Sequence, residues 1–224
     1  MARMRLVGAV AGAGFAVLAL IAFALTPGPS SASGADVIEY YTEHGDVAIW
    51  QAVLAGFALV CFLWFAATFA SAMPSATAVL VTASVVAAVY LVTLGAWEAL
   101  AETYKDVDIV HVPSEQYSDA HVLYDVGIGA AHMAGFADAA FVGATAAALL
   151  TAAGPSRGVG LIGIGLTAVF LVNAPFQIFA HSDWSDVVGT IVFVSLLAWV
   201  FALSVVLVLS LRREAAPAAC RAPG

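Results

Sequence analysis

The residues able to do chemistry are few, and they gather. All five histidines, His44, His111, His121, His132 and His181, fall toward one end of a series of apolar segments, the end that also carries most carboxylates. At 100° per residue on a helix, His121, Asp125 and His132 lie within about 40° of one another. Glu98 and Glu102 stand four residues apart, so their carboxylates share a helix face. Asn173, Gln177 and His181 follow at successive i+4 positions. Imidazole with carboxylate suits zinc, iron or copper, and a catalytic site would keep one coordination position open. The expected metal set is His121, Asp125 and His132, completed by Glu98, Glu102 or His181.

A second chemistry is proton transfer. Asp138 lies inside an apolar segment, where a charged side chain costs at least a few kcal/mol on insertion scales, about 2.5–3.5 at the centre. It must be protonated, hydrogen-bonded or beside a cavity. With Asn173 and Gln177 it would form a polar path leading from the acidic end into the membrane.

These residues are positioned by a chain that is 63% hydrophobic and 10% charged over 224 residues, with a mean hydropathy of +1.01. An ordinary soluble domain is about 25% charged. Continuous apolar runs near the roughly 20-residue spanning length recur, without the alternation of a β-barrel. Backbone groups in hydrocarbon must pair within the segment, so the spans are helices. The fold class is all-α, a polytopic bundle of six transmembrane helices. The spans are expected at about 5–25, 47–70, 75–97, 121–150, 158–180 and 186–211 in a single domain. Acidic outer segments cover 26–46 and 98–120, and 212–224 forms a tail.

Orientation follows from the basic residues. Arg3, Arg5, Arg157, Arg212, Arg213 and Arg221 all fall at one end of a six-span chain, and Lys105 alone at the other. The positive-inside rule places both termini and the tail in the cytoplasm, in a multi-pass protein of the plasma membrane. Thirteen carboxylates, from Asp36 through Asp186, then face outward. This charge excludes nucleic acid as a partner and favours cations or polar ligands on that side. Residues 1–33 also carry signal-peptide features, but their apolar stretch of about 20 residues exceeds the usual 7–15, so a retained span is expected. Residues 35–44 read as a short amphipathic helix in the interface, ahead of span 2. Ser33 with Asp36 resembles a capping box. Gly8 and Gly12 form a small-xxx-small pair for packing within the chain or in a homo-oligomer.

Several chemistries are absent from the sequence. It has no Gly-rich phosphate loop and no Gly-x-Ser-x-Gly elbow. Its one lysine, Lys105, lies in a loop, which excludes a retinal Schiff base in a span. The Pro/Ser-rich first loop, Tyr40-Tyr41-Thr42-Glu43-His44, Phe62-Leu63-Trp64-Phe65 and the turn at Gly154-Pro155 resemble a broad group of uncharacterised bacterial six-span integral membrane proteins. That resemblance implies the topology and no activity.

Three functions follow as expectations. The first is a metal-binding membrane protein whose outward His/carboxylate pocket acts as an enzyme on a small or lipid-like substrate at the outer leaflet. The second is a proton-coupled transporter using Asp138, Asn173 and Gln177. The third is a structural or accessory subunit whose acidic face docks a partner. No motif fixes a reaction.

Overall fold

A computed structural model describes residues 2–25, 28–29, 33–73, 76–151, 156–179 and 183–215. Among these, six helices are long and apolar enough to cross a bilayer, and there is no strand. They are α1 (Ala2–Leu25), α2 (Gly34–Ala72), α3 (Ala76–Tyr104), α4 (Ser114–Thr151), α5 (Ser156–Phe179) and α6 (Asp183–Ala215). A single 3-10 turn at Ile109–His111 joins α3 to α4. Each helix packs on its chain neighbours, α1 also packs on α6, and α2 reaches α4 across the middle. The six spans expected from hydropathy are therefore present, as a multi-pass membrane protein requires.

The acidic segments depart from expectation. Residues 34–46 are not a separate helix lying in the interface; they are the first turns of α2. The physical reason is local. Ser33 caps α2, its hydroxyl accepting the Asp36 N–H at 3.2 Å, and no proline interrupts residues 34–72. Gly45 does not break the helix either. Its missing side chain lets α2 close on the Lys105 Cβ and the Ala101 carbonyl of α3. Likewise α3 continues to Tyr104 and α4 begins at Ser114, so most of 98–120 is helical too.

Helix α2 has 39 residues and α4 has 38, each therefore about 57 Å long at 1.5 Å per residue. The hydrocarbon core is about 30 Å thick, so both overhang it by several turns at the acidic end. The overhang has its own core. Val37, Ile38, Tyr41 and Ala48 of α2 pack on Leu100, Ala101 and Tyr104 of α3 and on Ala120 of α4. The Thr42 hydroxyl reaches the Tyr104 carbonyl at 3.1 Å, and the Tyr104 hydroxyl donates to the Gln116 carbonyl at 3.3 Å.

Within the spans, Phe62 of α2 lies between Phe15 of α1 and Phe141 of α4, with ring centroids 5.1 and 4.9 Å away. The Gly8/Gly12 pair serves packing inside the chain. Thr68 closes on Gly8, while Phe65 and Ser204 close on Gly12. Small residues allow such approach where hydrocarbon supplies no drive for helices to associate.

Candidate functional site

The His121/Asp125/His132 stripe does not form an inward pocket. His121 Nε2 lies 3.4 Å from Asp125 Oδ2, and both side chains are about half exposed, at 49% and 54%. His132 is half-buried. The cause is helix length. The lower part of the same face does pack on α5: Gly135 meets Ala174, and Gly143 meets Thr167. With Gly135 level with Ala174 in this antiparallel pair, Phe179, the last described residue of α5, is level with about residue 130. His121 and Asp125 stand beyond that end, so no described residue of α5 covers them. The buried stripe of α4 at this height is a different one, carrying Ala120, Gly127 and Ala134 at seven-residue intervals.

The other expected ligands are also apart. Glu98 and Glu102 are exposed on α3. Glu102 Oε2 pairs with Lys105 Nζ at 3.1 Å, and this hydrogen bond raises the lysine's proton affinity above its ordinary value. His181 lies outside the described residues. Among the described residues no three His, Cys, Asp or Glu side chains gather as they would around a metal ion. His44 stacks on Tyr40 with ring centroids 4.9 Å apart, and His111 pairs with Asp108 at 2.9 Å in the exposed turn.

Asp138 stands in contrast. It is 3% exposed and lies thirteen residues, about 20 Å, from the far end of α4 at Thr151, within hydrocarbon depth. The Tyr90 hydroxyl of α3 donates to its Oδ2 at 3.0 Å. Its Oδ1 is buried and accepts no hydrogen bond among the described residues. A carboxyl with one oxygen unsatisfied in a low-dielectric interior is a costly arrangement, commonly retained for a role.

No family model, curated protein or solved structure matches this chain. The site must therefore be read from its own geometry.

The expected path from Asp138 through Asn173 to Gln177 divides in two. Asp138 bonds Tyr90 on the α3 side. Asn173 Oδ1 accepts from Gln177 Nε2 at 3.4 Å, and the Gln177 amide packs against Gly189 of α6. Asn173 is buried and Gln177 half-buried. Two polar positions thus occupy separate seams of the bundle.

Tyr90 went unnoticed in the sequence, although a signal was there. Five of the six tyrosines (40, 41, 104, 117 and 124) fall at the acidic end, where an aromatic belt is expected. Tyr90 is the exception, inside span 3. Trp97, at the same end, is a second departure from a belt. Its indole N–H is buried against the bare backbone of Gly127, without a hydrogen-bond partner among the described residues. A third polar tie, Trp199 Nε1 to Thr145 Oγ1 at 3.0 Å, joins α6 to α4.

Proposed function

We propose that this is a proton-coupled transporter of the plasma membrane in which Asp138 takes up and releases the proton. The carrying observation is the Asp138 carboxyl itself, buried in a span, with Tyr90 on one oxygen and, among the described residues, no donor on the other. Tyr90 is suited to follow the change of charge. Its hydroxyl donates to the carboxylate, and it can rotate to accept from the neutral acid. Asn173 and Gln177 provide amide donors and acceptors on a second seam, as a polar solute would require. The basic cluster of Arg3, Arg5, Arg157, Arg212, Arg213 and Arg221 favours both termini in the cytoplasm, with the acidic layer outside.

The test uses the proton as probe. Full-length protein is reconstituted in liposomes containing a pH-sensitive dye, and a potassium diffusion potential is imposed. Proton entry above protein-free liposomes is expected to fall at least tenfold in Asp138→Asn and to persist in part in Asp138→Glu. Equal flux in the native chain and Asp138→Asn would sink the reading.

The Tyr90 bond supports a second reading, in which Asp138 is a clasp between α3 and α4. Tyr90→Phe distinguishes the two. A clasp predicts a loss of about 1 kcal/mol in stability and no proton flux in any variant. A proton site predicts flux whose pH dependence moves when the hydroxyl is removed.

A further inference from the structure

A groove runs along the bilayer-facing seam of α2 and α3. Ala52, Val53 and Gly56 of α2 line one wall, Leu91, Leu94 and Gly95 of α3 the other, and the enclosed volume is about 360 Å³. The space beside its two glycines is open, since a Cβ added at Gly56 or Gly95 would meet nothing within 4 Å. Glu98 closes its upper end. Its carboxylate is exposed and takes part in no hydrogen bond or ion pair among the described residues.

Depth decides what fits. Leu91 lies about 22 Å and Glu98 about 33 Å along α3 from Ala76. Against a hydrocarbon core of about 30 Å, the groove occupies the acidic-side third of the bilayer, and Glu98 stands at headgroup level. An apolar channel at acyl depth beneath the Glu98 carboxylate at headgroup depth matches an amphiphile whose headgroup ends in a cation.

We propose that this seam binds a glycerophospholipid with a primary ammonium headgroup, of the phosphatidylethanolamine type. An acyl chain lies between Gly56 and Gly95, and the ammonium pairs with Glu98. A primary ammonium offers three N–H donors to the carboxylate. A choline headgroup offers none, and the net charge of a phosphatidylglycerol is repelled. The inference stands on this groove alone and does not depend on the role of Asp138.

Native mass spectrometry of the full chain tests it, using detergent micelles doped with equal phosphatidylethanolamine and phosphatidylcholine of identical acyl chains. Retained ethanolamine lipid is expected to exceed choline lipid about fivefold, the scale of one exposed ion pair. In Glu98→Gln the ratio falls to about one, while total retained lipid changes little. In Gly56→Leu/Gly95→Leu both lipids are lost from the site. Circular dichroism confirms that the leucine variant is folded, and Glu98→Gln removes a group with no partner among the described residues, so it tests the proposal even if the leucine variant fails. A ratio near one in the native chain, an unchanged ratio in Glu98→Gln, or lipid retained by a folded leucine variant would each overturn the proposal. So would a native dimer that the leucine variant dissolves, because the groove would then be a contact between copies.

Discussion

Gly163→Leu is expected to lower the stability of the bundle by about 3 kcal/mol. Gly163 of α5 faces the ring of Trp199 and the Cβ of Ala146, and even one added carbon would lie closer to both than real side chains approach. The Trp199 ring cannot simply turn away, because its indole N–H is held by Thr145. A leucine must therefore push α5 from α4 and α6 or break that bond. Overpacking costs about 1–3 kcal/mol, and a lost hydrogen bond about 1 more. Denaturation of the reconstituted protein in mixed micelles reads the loss. Gly158→Leu and Gly165→Leu are the controls, because a Cβ at either meets nothing within 4 Å. A neutral Gly163→Leu would mean that the three helices do not meet as described.

The second large effect belongs to the overhanging layer. Leu100 is fully buried, about 36 Å along α3 from Ala76 and so beyond the hydrocarbon. Its burial removes apolar surface from water. Leu100→Ala should cost about 3 kcal/mol, inside the 2–5 kcal/mol seen for such truncations in water-surrounded cores. Phe62 is equally buried but sits among the spans, where the unfolded alternative is lipid and not water. Phe62→Ala loses packing contacts without the transfer term. Leu100→Ala is therefore expected to cost at least as much as Phe62→Ala, although it removes the smaller side chain. A Phe62→Ala penalty twice that of Leu100→Ala would show that the acidic layer is not held by water.

Six helices were legible because the bilayer imposes a length and a composition that few soluble segments share. The end of the bundle that collects charge was legible for the same reason. What the sequence concealed was height. Hydropathy marks where hydrocarbon begins and is silent on whether a helix continues past it, so spans at 47–70 and 121–150 do not reveal that α2 begins at Gly34 and α4 at Ser114. That omission carried into the site. The lower part of the stripe, Gly135 and Gly143, packs on α5, but the described part of α5 stops at Phe179, below the level of His121 and Asp125. Phase follows from the spacing within one helix, whereas cover depends on where a different helix stops. Asp138 was found because its type is rare at that depth. Tyr90 was overlooked because tyrosine is ordinary in a membrane protein and only its position is unusual.

Gly12 touches Phe65 and Ser204 at once, and that has a consequence for synthesis. The contact with Phe65 forms within the first hairpin. The contact with Ser204 joins residues 12 and 204, nearly the whole length of the chain, and no seam of the bundle has a higher contact order. Hairpins α2–α3 and α3–α4 can assemble as they leave the ribosome. The first helix must wait, one flank turned to lipid, until the last helix has been made.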